Sequence, residues 1–177
     1  LPSPGLQKLC RGIADLGADL IVCQHSHCIG ALEKYGNSTI VFGQGNFLFD
    51  QAGCRTEKWN TGLIVDTVFT KQGIEKLTFH YYEQSVEIPI IRFLNGEKFS
   101  AIRKIQQGYN EIVLDSEAVQ REWHSIALSD GPRMLLRVSG FDGFLLKVLY
   151  RLGIYKILHR KKFASLNMIR CETHREL

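Results

Sequence analysis

A short apolar run, Leu20-Ile21-Val22-Cys23, sits between a helical pattern and the loop Gln24-His25-Ser26-His27. That order constrains the fold more than any other feature of the chain. The stretch from Pro4 to Asp19 reads as a helix. Ser3-Pro4 supplies an N-cap and a first-turn proline. Leu6, Leu9, Cys10, Ile13 and Leu16 recur at helical spacing, and Gly17 stands where a C-terminal cap falls. The apolar run that follows predicts a strand buried on both faces. Helix, strand and polar loop in succession predict an α/β fold, in which ligands bind beyond the carboxyl ends of strands. His25 and His27, one residue apart at such a place, are candidate metal ligands, because neutral imidazole is a common nitrogen donor to zinc, iron and manganese. The pair reads equally as hydrogen-bonding loop histidines, and these residues alone leave both readings open.

Further along, Thr39 to Gly43 predicts a second strand, entered through a turn at Tyr35-Gly36-Asn37-Ser38. Leu63, Val65, Thr67 and Phe69 then alternate with Ile64, Asp66 and Val68. Leu77, Phe79 and Tyr81 alternate after Lys71-Gln72-Gly73, so this region predicts a β-hairpin. Val86 to Phe93 predicts a further strand, at an edge or bulge because Pro89 has no N–H for a ladder. From Glu97 the pattern is helical. Val138, Phe141, Leu145, Val148, Leu152 and Tyr155 form an apolar stripe, which Gly140, Gly143 and Gly153 divide towards two helices. The expected organisation is an α/β part over 1–95 and a mainly helical extension over 96–177.

Apolar residues make up 45% and charged residues 23% of the chain, enough for an ordinary globular core. No apolar run approaches the ~20 residues of a membrane span, and no signal-like stretch is expected. Five cysteines, odd in number and irregular in spacing, argue against a disulfide framework and towards a reducing compartment. The net charge of +4 is concentrated in residues 131–177, which carry ten basic and three acidic groups. Nucleic-acid binding is not expected, since no recognised module is present and no basic-aromatic interleaving surrounds the histidines. The basic, apolar stretch from Leu135 to Phe163 either packs with its Lys and Arg solvated or makes peripheral contact with an anionic membrane.

Other chemistry-bearing residues admit a plainer role beside a functional one. Asp50 is the nearest carboxylate after a strand and is more simply a turn cap. The Asn46 amide suits a phosphate or a metal-bound water, and equally a left-handed turn. Cys23 and Cys28, with Cys54 and the histidines, suggest a mixed structural zinc site, although Cys23 is more simply a small buried hydrophobe. His80, His124, His159 and His174 are given no role.

Two motifs carry a more specific signal. Gly17-Ala18-Asp19-Leu20-Ile21-Val22-Cys23-Gln24-His25-Ser26-His27, followed by Gly45-Asn46-Phe47-Leu48-Phe49-Asp50, resembles the CapA family of capsule and poly-γ-glutamate synthesis proteins. That family lies within the calcineurin-like metallophosphoesterase superfamily. The resemblance covers roughly residues 1–95. It implies a partial metallophosphoesterase-like α/β/β/α sandwich with a helical C-terminal extension. It also implies that His25 and His27 are late ligands of a site for one or two divalent metal ions (Mn, Fe or Zn), with Asn46 as the motif residue that orients substrate. Gln24 departs from the superfamily's usual Gly before the first His. The family's earlier acidic motifs are not present in these residues, so the expectation is a C-terminal portion of such a protein, in the bacterial cytoplasm or envelope. By the same resemblance, its substrate would be phosphorylated or glutamyl and its partners the subunits of a polymer synthase. The alternatives are a non-catalytic accessory subunit of an envelope polymer synthase and a zinc-stabilised binding module using Cys23, Cys28 and the histidines.

Overall fold

The computed structural model describes residues 1–48, 56–85 and 87–138, together with Val148 and Leu152. Asp50, Cys54 and most of the stripe from Val138 to Tyr155 lie outside the described residues.

Helix α1 (Pro4–Asp15) begins where Ser3 Oγ accepts the Leu6 N–H at 3.1 Å. It ends at Gly17, whose φ of +100° is available to glycine at little cost. The Gly17 N–H then reaches Ala14 O at 2.9 Å and the Ala18 N–H reaches Ile13 O at 3.4 Å, the paired bonds of a left-handed cap. The cap stops the helix short of the predicted Asp19. The predicted apolar stripe is not the face that α1 buries. Cys10 is buried, but so is Gln7, while Leu9, Ile13 and Leu16 are exposed. Polar clamps set the orientation instead. Arg11 donates to Glu33 Oε1 through Nε at 2.9 Å and Nη2 at 2.7 Å, and Nη2 also donates to Val113 O at 2.9 Å. Gln7 Nε2 donates to the same carbonyl at 2.7 Å.

The first sheet holds β1 (Leu20–Val22), β2 (Leu32–Tyr35) and β3 (Ser38–Val41), in the order β1-β3-β2. β1 runs parallel to β3, pairing Leu20 with Thr39 and Val22 with Val41, while β2 and β3 form an antiparallel hairpin. The expectation of a strand buried on both faces is therefore corrected: β1 is an edge strand, and Val22 is 39% exposed. β2 had no apolar signature, because its inward residue is Glu33, buried against Arg11.

A single helical turn, α2 (Glu57–Asn60), leads into the second sheet, with Thr56 Oγ1 accepting the Trp59 N–H at its start. That sheet is β4 (Thr61–Thr70), β5 (Gly73–Gln84) and β6 (Ile91–Phe93), antiparallel and in sequence order. The predicted hairpin is present, turning at Lys71-Gln72 between paired Thr70 and Gly73. β6 is shorter than the predicted strand and lies at the edge, after Pro89. Helices α3 (Gly96–Val113) and α4 (Ser116–Val138) follow. The architecture is mixed α/β with two small sheets.

The sheets are stitched together by backbone. Gly45 bridges Gly62, and the Leu63 N–H donates to Gln44 O at 2.7 Å. Gly45 has φ +76°, and a Cβ there would meet Thr61 O at 2.5 Å. At Gly62 the Tyr82 ring lies across the Cα and takes the space of a side chain. Beneath this seam lies the core of Val41, Leu63, Tyr81 and Ile102, with Val65, Phe79 and Phe99 packed against it. α3 also binds the first sheet: Leu32 N–H donates to Asn110 Oδ1 at 2.6 Å, and Gln106 Nε2 donates to Gly30 O at 2.9 Å.

The chain forms two compact units, one of Leu1–Pro2 with Gln7–Ser116 and one of Ser3–Leu6 with the residues from Glu117 onward. Both sheets and α3 belong to the first. Among the described residues no helix is long and apolar enough to cross a membrane.

Truncating a filled core position should be far more damaging than truncating an exposed one. Leu63→Ala is expected to lower unfolding free energy by about 2–5 kcal/mol, and Leu16→Ala, at a side chain 90% exposed, by less than about 0.5 kcal/mol. Chemical denaturation of both variants checks this, and equal losses would contradict the assigned core.

Candidate functional site

β1 delivers the chain to a loop whose conformation is unusual. His25 has φ +85° and His27 has φ +56°, values that L-residues adopt only when their surroundings hold them there. The two rings lie 5.8 Å apart between centroids, inclined at 47°. Both line an open cleft of about 380 Å³ together with Gln24, Gln44, Asn46 and Tyr82. That volume falls within the roughly 300–1,000 Å³ of small-ligand sites.

Asn46 holds the loop. It is 6% exposed, and its Oδ1 accepts the His27 Nδ1–H at 2.8 Å. Its Nδ2 donates to His27 O at 3.2 Å and to Trp59 O at 3.1 Å. Two carbonyls facing the nitrogen settle which way the amide points. The Asn46 carbonyl is itself held by the Tyr82 hydroxyl at 2.9 Å, and burial pushes that phenol up to about 12. Trp59, carried by α2, stacks on the His27 ring with centroids 4.7 Å apart and planes 17° apart.

This arrangement fixes a tautomer. With its proton on Nδ1 and donated to Asn46, neutral His27 keeps its basic lone pair on Nε2. Metal-ligating histidines are commonly oriented in this way, through a hydrogen bond from the other ring nitrogen. The ring separation is compatible with two imidazoles sharing one ion at metal–nitrogen distances of about 2.0–2.1 Å. The nitrogen donors at the cleft are two imidazoles; among the described residues, no group of three or more His, Cys, Asp or Glu side chains gathers as a metal site. Cys23 and Cys28 do not assemble with the histidines into such a group. Cys23 Sγ instead meets Cys10 Sγ at 3.4 Å. That contact raises the Cys10 thiol, with burial adding to the rise, and lowers Cys23.

The structure thus brings together the residues singled out from the sequence, His25, His27 and Asn46. It gives the Asn46 amide three bonds to loop and neighbour, all within the protein. His80 lies elsewhere, 3.5 Å from Asp66 on the hairpin. Sequence reasoning missed Trp59, Tyr82, Gln24 and Gln44. Trp59 sits in a polar stretch without periodicity, and the inward role of Tyr82 depends on the glycine opposite it.

The first 51 residues match the family described as bacterial capsule synthesis protein PGA_cap. The chain is 40% identical over 55 residues to the PGA biosynthesis protein CapA of Bacillus subtilis (strain 168), and 39% identical over 56 residues to the capsule biosynthesis protein CapA of Bacillus anthracis. Over this N-terminal stretch the chain is similar to the CapA family of capsule synthesis proteins. The aligned stretches cover 31% and 32% of this chain and 14% of each relative. The CapA match includes α1, the first sheet and the loop with His25, His27 and Asn46. No solved structure matches the chain.

Removing the Asn46 side chain should release the His27 ring. Asn46→Ala is expected to lose about 1–3 kcal/mol of stability through unsatisfied buried groups. In ¹⁵N NMR its His27 should no longer be locked with the proton on Nδ1. An unchanged His27 tautomer in the variant would contradict the assignment.

Proposed function

We propose that this chain contributes His25 and His27 to a divalent-metal, phosphoesterase-like site in a CapA-type protein of capsule or poly-γ-glutamate biosynthesis. The observation that carries this reading is the Asn46–His27 hydrogen bond at 2.8 Å, which leaves His27 presenting Nε2 as its basic nitrogen. His25 stands beside it at the same strand end. Trp59 stacking and the three Asn46 bonds limit ring motion, so the donors need little reordering to bind. Such preorganisation reduces the entropy lost on binding. When bound, a divalent ion would polarise a phosphoryl oxygen and make a bound water more acidic. In this reading Asn46 is a positioning residue for His27, and Gln24 and Gln44 form a cleft wall in which the Gln24 amide donates to Gln44 Oε1 and the Gln44 amide to Leu63 O. The proposed substrate is phosphorylated or glutamyl, and the proposed fold of the whole domain is the four-layer α/β/β/α sandwich.

A second reading, a non-catalytic accessory subunit of a polymer synthase complex, draws on the two-donor character of the site. Metal content separates the two. The full-length protein should carry bound Mn, Fe or Zn that His25→Ala and His27→Ala each lose, with Asn46→Ala weakening affinity about 10–100-fold. Hydrolysis of a chromogenic phosphoester should fall with metal content. Metal content unchanged in both histidine variants would overturn the ligand assignment. Metal bound without any hydrolysis would favour the accessory reading.

A further inference from the structure

Behind the histidine loop lies a second feature that the metal reading does not use. Cys10, on α1, and Cys23, the residue that follows β1, place their sulfurs 3.4 Å apart. We propose that Cys10 and Cys23 form an oxidisable dithiol, a disulfide site that fastens α1 to the strand end from which the His25–His27 loop departs. The proposal stands independently of metal binding.

The geometry is that of a pair held at the threshold of bonding. A disulfide needs an S–S distance of about 2.05 Å, so the sulfurs must close by about 1.4 Å, shared between two side chains. Neither backbone can easily retreat. Cys23 is held to the sheet by its N–H, which donates to Val41 O at 2.8 Å. Cys10 rides on a helix pinned on either side in sequence, by Gln7 to Val113 O and by Arg11 to Glu33. The two thiols differ in access. Cys10 is 2% exposed, whereas Cys23 is only partly buried.

That difference sets the order of events with a low-molecular-weight disulfide as oxidant. Cys23, as thiolate, attacks the small disulfide. Its S–S bond breaks, one small thiol leaves, and Cys23 carries a mixed disulfide. Cys10 then attacks the Cys23 sulfur, the mixed disulfide breaks, and the second small thiol leaves. The two protein S–H hydrogens end on the two small thiols, the protein pair is oxidised by two electrons, and the small disulfide is reduced by two. Because Cys23 directly precedes Gln24 and His25, the bond ties the root of the loop to α1.

The test is to equilibrate the protein with oxidised and reduced glutathione, quench with acid, alkylate under denaturing conditions and map peptides by tandem mass spectrometry. Cys10 and Cys23 should lose their thiols together and appear as one linked peptide that carries no glutathione. Cys28→Ser should leave that link intact. In Cys23→Ser, Cys10 should remain a thiol. Stable glutathione on Cys23 with Cys10 still a thiol would overturn the proposal, as would Cys10 linked to any other cysteine.

Discussion

The site depends on one buried amide. Asn46 receives the His27 Nδ1–H, donates to the carbonyls of His27 and Trp59, and offers its own carbonyl to Tyr82. These bonds join three pieces of chain: the loop after β1, the turn of α2 and strand β5. A buried amide makes such bonds or is heavily penalised, so the loop has one well-defined arrangement despite two histidines at positive φ. An apolar residue at position 46 would leave the loop with no reason to adopt these backbone angles.

Asn46 is in place because the two sheets approach so closely there. At the Gly45–Gly62 bridge the Thr61 backbone excludes a Cβ on Gly45, and the Tyr82 ring takes the space of one on Gly62. The same seam puts Leu63 into the core with Val41 and Tyr81. Packing and site geometry are thus two consequences of one close approach. α3 contributes from the other side, with Gln106 holding Gly30 at the far end of the loop and also bonded to the Tyr81 hydroxyl.

Much of this was legible in local patterns. The alternation from Leu63 to Tyr81 foretold the hairpin, and Ser3 and Gly17 marked the ends of α1. The histidine pair and Asn46 stood out by residue type and by position after apolar runs. What local patterns did not show is decided by tertiary partners. β2 was hidden because its inward Glu33 is neutralised by an arginine 22 residues away. β1 reads as a fully buried strand but occupies an edge. α1 turns Gln7 inward and Leu9 outward, since the Val113 carbonyl and Glu33 recruit its polar residues. The Cys10–Cys23 contact combines a helical position with a strand end, brought together by the chain reversal at Gly17 and the clamps on α1.

The central proposal is that His25 and His27 would bind a metal ion, with His27 held in place by Asn46. The most direct measurement is paramagnetic broadening of the histidine ring signals during titration of the chain with Mn²⁺. The account expects His25 and His27 to broaden first, well before His80 and His124. Broadening centred on His80 and Asp66, or spread evenly over all histidines, would contradict it.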